Sequence, residues 1–156
     1  MASPIGHSIV GMALARRLGV RSRPLLAATA LAASLPDADI VAGWLLRRDD
    51  PWKLHRKVTH TADFAVTTGA LAGMAGILRA ENADGERDLV RDALVGGAVV
   101  GSHIVLDAVP IPALRWGPAV LRMSLANWIA DALIWGAVAW AIWPHNDESD
   151  REPILA

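Results

Sequence analysis

Residues 123–144 read MSLANWIADALIWGAVAWAIWP, a run in which Asp131 is the sole charge and four tryptophans recur before the closing proline. A bilayer's hydrocarbon core takes ~20 predominantly apolar residues per helix. A tryptophan-rich helix without a polar face needs lipid or a partner against it. Working outward, four more apolar segments alternate with charged connectors, at about residues 4–18, 24–46, 61–78 and 89–109, with the quoted segment forming a helix over about 125–143. None shows the period-two alternation of a strand. The fold class expected is therefore all-α: an integral membrane bundle of about five helices, four of them spanning and the first too short to span. Residues 1–145 form one membrane-embedded domain in this reading, and 146–156 a polar tail.

Composition agrees. The chain of 156 residues is 53% hydrophobic, above the ~45–50% of ordinary globular domains. The soluble alternative is a five-helix bundle whose helices are apolar all round because each is central, and so small a bundle could not hide them all. The absence of cysteine leaves only nitrogen and oxygen ligands for any metal. A net charge of −1 offers no basic field for nucleic acid. His7 and the Arg16–Arg17 pair interrupt the first segment, so no signal peptide is expected there. Ser3 is a candidate N-cap with Pro4 at the first helical position. Pro36 predicts a kink within the second helix, and Gly69, Gly73 and Gly76 a flat face for close approach in the third.

The unusual polar residues fall in one layer. With helices running up and down, His7, Asp37, Asp39, His55, His60, His103, Asp107, Asn127 and Asp131 come from five segments, yet all lie in the same half of the bundle. Ionisable groups in membrane helices persist where they pair, line water or bind something. His103 and Asp107, at i and i+4, share one helix face and can grip one cation. Asp37 and Asp39, at i and i+2, do so only if the kink turns both inward; otherwise one of them orients a histidine. The expected ligand set is His7, Asp37, Asp39, His60, His103 and Asp107, with His55 a further ligand or its partner. Imidazole with carboxylate suits Zn²⁺, with Mn²⁺ or Fe²⁺ as alternatives, as one or two ions. His145 lies past Pro144 on the other side and is expected to be solvated.

Four motifs, GHSIVG at 6–11, LPDADI at 35–40, HRKVTHT at 55–61 and HIVLD at 103–107, resemble the membrane-bound metal-dependent hydrolases of the bacterial inner-membrane YdjM type. After Asp107 the chain reads AVPIPALRWGP, in which Trp116–Pro118 is only an approximate counterpart of the family's Trp-Pro element. The ligand pattern is also remotely similar to that of zinc-dependent phospholipase C. The resemblance implies hydrolysis of a phosphoester or lipid-like, amphiphilic substrate at the membrane edge, and a multi-pass location in the inner membrane. On that reading Asp37 or Asp39 serves as catalytic base toward a metal-activated water, and Arg56 as the clamp for an anionic group. Two other functions fit the same residues: a non-catalytic scaffold stapled by its metal, and a small ion transporter, though a path through the membrane would need polar residues in both halves. Lys and Arg divide nearly evenly between the two sides, so charge does not orient the chain.

Overall fold

The computed structural model describes residues 2–46, 58–80, 89–109 and 125–145, all helix and connecting turn. Helix α1 covers Pro4–Arg17, and its start follows from Ser3, whose Oγ accepts from the Gly6 N–H at 3.1 Å, with Pro4 in the first turn. Its end is a glycine closure. Gly19 adopts φ +90°, which frees the Gly19 and Val20 N–H groups to bond the Arg16 and Ala15 carbonyls, both at 3.0 Å. Arg91 then donates to the Leu18 and Gly19 carbonyls at 3.3 and 2.6 Å, placing a cation at the negative end of the helix.

The second apolar segment is broken rather than kinked. Helix α2, Arg23–Ala33, is followed by a 3₁₀ turn, Leu35–Asp37, and by α3, Ala38–Leu46, with a bend of 46° between the two halves. Pro36 has no N–H to give, and the Asp37 N–H turns to Ser34 O at 3.1 Å. In a continuous helix that N–H would have bonded Ala33 O. The break therefore releases the Ala33 carbonyl. The Ser34 hydroxyl ties the break to α1, donating to Pro4 O and meeting the Ser8 hydroxyl, each at 2.8 Å.

Three further helices complete the described chain: α4, Ala62–Ala80, α5, Leu89–Ala108, and α6, Leu125–Ile142. Thr61 caps α4, its Oγ1 accepting from the Phe64 N–H at 3.2 Å. Helix α1 packs against α2, α5 and α6, while α4 lies along α5. The α4–α5 approach is close at Gly69, where a Cβ would stand 2.6 Å from Ala93 O and 2.9 Å from Gly97 N. The glycine face expected on this helix is thus seen at Gly69, met by Gly97; the side-chain surroundings of positions 73 and 76 lie outside the described residues.

Burial is inverted relative to a soluble domain. His7, His103, Asp131 and Ser3 are among the largest fully buried side chains. By contrast Leu31, Leu45, Leu46, Val66, Leu133 and Trp140 lie on the outside. Apolar packing inside is modest, with one cluster of Val10, Ala13, Leu106, Trp135 and Ala139 and another of Ala15, Ala33, Val95 and Val99.

The expectation of four spanning helices needs correction. One described helix, Leu89–Ala108, is long and apolar enough to cross a membrane, and the bent pair from Arg23 to Leu46 makes a second if taken as one broken span. Helix α1, at 14 residues, reaches only about 21 Å at 1.5 Å per residue, and α4, at 19 residues, is long enough but is not among the helices apolar enough to cross.

Candidate metal centre

Five of the singled-out residues meet at one place, brought there by four pieces of local structure. His7 stands on the first turn of α1, Asp37 closes the 3₁₀ turn, His60 precedes α4, and His103 and Asp107 occupy successive turns at the end of α5. His103 is fully buried, and its Nδ1 lies 2.8 Å from Ala33 O, the carbonyl released at the break. A carbonyl only accepts, so Nδ1 carries the proton and Nε2 keeps its lone pair.

His60 is set in the same way by a longer relay. The Thr59 hydroxyl donates to Asp39 Oδ2 at 2.6 Å, so its oxygen accepts from His60 Nδ1 at 3.1 Å. His60 Nε2 then faces His103 Nε2 at 3.1 Å. With both rings in the neutral form these contacts select, two imidazole lone pairs face each other there. Carboxylates crowd the same point: Asp37 Oδ1 is 3.5 Å from His103 Nε2 and 3.8 Å from His60 Nε2, and Asp107 Oδ2 is 3.4 Å from His60 Nε2. Such a gathering of acceptors is repulsive in a low-dielectric interior unless a cation joins it. The donor set therefore fits a divalent metal. Ligands about 2.0–2.2 Å from an ion at roughly tetrahedral angles lie about 3.3–3.6 Å apart, close to these separations. His7 Nε2 approaches Asp107 Oδ1 at 3.3 Å, and burial holds the His7 imidazole below its ordinary pKa, which keeps the ring neutral and able to ligate.

Asp39, expected in the ligand set, sits on the opposite edge of His60. Its Oδ2 is 3.7 Å from Nδ1, because the turn from Asp37 to Asp39 does not bring both carboxylates inward and Thr59 intercepts the second. This is the orienting alternative left open by the spacing. Asp131, in the same layer but outside the cluster, accepts from the Ser3 N–H at 3.1 Å and from the Ser3 hydroxyl. It anchors the start of α1 to α6 and so fixes His7 one turn further along. His145 is exposed beside the Trp140 ring, as expected. His55, Arg56 and the 110–124 stretch lie outside the described residues, as does the Asn127 side chain.

Two contributors were missed in the sequence: Thr59 and the Ala33 carbonyl. A hydroxyl residue directly before a candidate ligand was a usable signal for Thr59. The carbonyl's role depends on the contact between α2 and α5 and left no mark on residue identity.

These features define a helix bundle, apolar outside, built around a buried histidine and aspartate centre. The chain belongs to the YdjM inner membrane protein family, whose model matches residues 1–150. No curated protein and no solved structure matches it significantly.

Proposed function

We propose that this protein is a metal-dependent hydrolase of the inner membrane, acting on a phosphoester or other lipid-like ester. The observation that carries the reading is the 3.1 Å approach of two imidazole Nε2 atoms whose protons are committed elsewhere, ringed by Asp37 and Asp107. His60, His103 and Asp107 would hold an ion with Asp37 beside them, Zn²⁺ being the best match to the donors and Mn²⁺ or Fe²⁺ close behind. A bound divalent cation supplies Lewis acidity and activates water at neutral pH.

The protein's own groups do the rest. Ala33 O and Thr59 hold the two imidazoles in the ligating tautomer. Asp37, the most open of the cluster at 15% side-chain exposure, is the carboxylate placed to take a proton from water entering from outside. Helix α3 leads away from Asp37 with Val41, Trp44, Leu45 and Leu46 turned outward. That apolar apron beside a polar opening favours an amphiphilic substrate. Arg56, four residues before His60 in the sequence, is the proposed anion clamp.

A second reading draws on the four separate segments that the cluster joins: a metal staple without catalysis. Detergent-purified protein, assayed for bound metal and screened against phosphomonoester, phosphodiester and phospholipid substrates, separates the two. Metal-dependent turnover lost in His103→Ala and Asp107→Ala, with helical content retained, supports the hydrolase. Firmly held metal with no turnover on any of them favours the staple.

A further inference from the structure

His103 is claimed twice. His60, His103 and Asp107 form one set with ligand atoms all within 4.8 Å of one another, and His7, Asp37 and His103 form another. Only one atom of His103 is on offer, since Nδ1 donates to Ala33 O, and one lone pair serves one cation. Ring geometry decides which set keeps it. An imidazole lone pair lies in the ring plane, so an ion shared by two histidines must lie near both planes. The His60 and His103 rings cross at 77° with their Nε2 atoms 3.1 Å apart, which suits a shared ion at about 2.0–2.1 Å from each. The His7 and His103 rings are stacked, 3.5 Å between centroids and 13° from parallel, so no nearby point lies in both planes.

His7 is nevertheless aimed at the centre. It is 1% exposed, Nδ1 has no hydrogen-bond partner among the described residues, and Nε2 makes none in good geometry although it stands 3.3 Å from Asp107 Oδ1. The other oxygen of the same carboxylate, Oδ2, stands 3.4 Å from His60 Nε2. Asp107 thus presents one oxygen to each of two imidazoles that face different points. That is the disposition of a carboxylate bridging two cations, which in two-metal sites lie about 3.5–4 Å apart.

We propose that the centre is dinuclear: His60, His103 and Asp107 Oδ2 hold one divalent cation, His7, Asp37 and Asp107 Oδ1 hold a second, and Asp107 bridges them. This rests on the metal-binding half of the function proposed above and not on hydrolysis. The full chain, purified in detergent, stripped with chelator and reloaded with Mn²⁺, is expected to hold two Mn²⁺ per chain by elemental analysis. Its low-temperature electron paramagnetic resonance spectrum is expected to be that of an exchange-coupled pair. His7→Ala, with helical content as the fold control, is expected to fall to one Mn²⁺ per chain and to show the six-line signal of an isolated ion. Fewer than two ions per chain in the unaltered protein, two ions without coupling, or a folded His7→Ala that still binds two, overturns the proposal. Failure of the hydrolase reading looks different: two coupled ions with no turnover leave the pair standing, whereas one ion with turnover intact removes the second site alone.

Discussion

Thr59→Val keeps the shape of the side chain and removes its hydroxyl, which holds His60 from behind. Two hydrogen bonds go with it, one from His60 Nδ1 at 3.1 Å and one to Asp39 Oδ2 at 2.6 Å. His60 loses no ligating atom, only the lock on its tautomer and ring angle. Outer partners of this kind typically contribute ~10–100-fold in metal affinity, equivalent to about 1.4–2.7 kcal/mol. Folding stability is expected to fall separately by about 1–3 kcal/mol, since a charge-assisted bond to a largely buried carboxylate is lost. The affinity is read by competition between stripped protein and a fluorescent zinc chelator in detergent, with helical content as control. Thr59→Ser is expected to restore most of the affinity. Asp39→Asn is expected to weaken binding to a similar degree, and the double variant to be little worse than either single one, because both act on the same ring. Unchanged affinity in Thr59→Val, or losses that simply add in the double variant, would refute the relay.

Other predictions follow from packing and anchoring. Asp131→Ala strands two buried donors on Ser3, and is expected to cost about 1–3 kcal/mol for each in detergent-unfolding experiments. The more conservative Asp131→Asn should keep most of the metal; loss of metal equal to that in His103→Ala would place Asp131 in the ligand set after all. Gly69→Val drives a side chain into the Ala93 carbonyl and is expected to destabilise by about 1–3 kcal/mol. Gly97→Ala, whose new Cβ would find its nearest neighbour at 3.6 Å, is expected to be tolerated; equal melting temperatures for the two variants would contradict the α4–α5 contact. Chelation is expected to lower the melting temperature of the unaltered protein, the linkage being worth about 2.7 kcal/mol at a metal concentration 100 times Kd, and to move that of Asp107→Ala, which lacks the carboxylate common to both ions, far less. A chelator effect of the same size in both would point to metal bound elsewhere.

The helices were legible because apolar runs and their breakers are local signals: Ser3 and Pro4 start α1 as their chemistry dictates. Convergence of His7, Asp37, His60, His103 and Asp107 was legible from the alternation of direction along the chain. The departures were questions of direction and length. Whether Pro36 bends a helix or ends it depends on where the Asp37 N–H goes, and residue types do not encode that choice. Asp39 has the same apparent rank as Asp37 in the sequence and Asp131 belongs to the same polar layer, yet Thr59 captures one and Ser3 the other. Local hydrogen-bond competition of that kind is settled in three dimensions. The second apolar segment reads as one span in the sequence, yet the break at Pro36 cuts it into helices of 11 and 9 residues.

The bond between Ser3 and Asp131 joins residues 128 positions apart, and synthesis gives that separation a direction in time. A ribosome makes His7 well before the group that anchors its helix, which emerges only with α6. Until α6 has been made and docked, the first turn of α1 lacks that anchor, even when the segments carrying His60, His103 and Asp107 have already been inserted. A nascent chain cut short before Asp131 would carry every ligand of the cluster without the bond that holds His7 in register. Metal loading in this protein is therefore expected to follow the synthesis and docking of α6, a step that a ribosome-stalled chain ending before α6 would not reach.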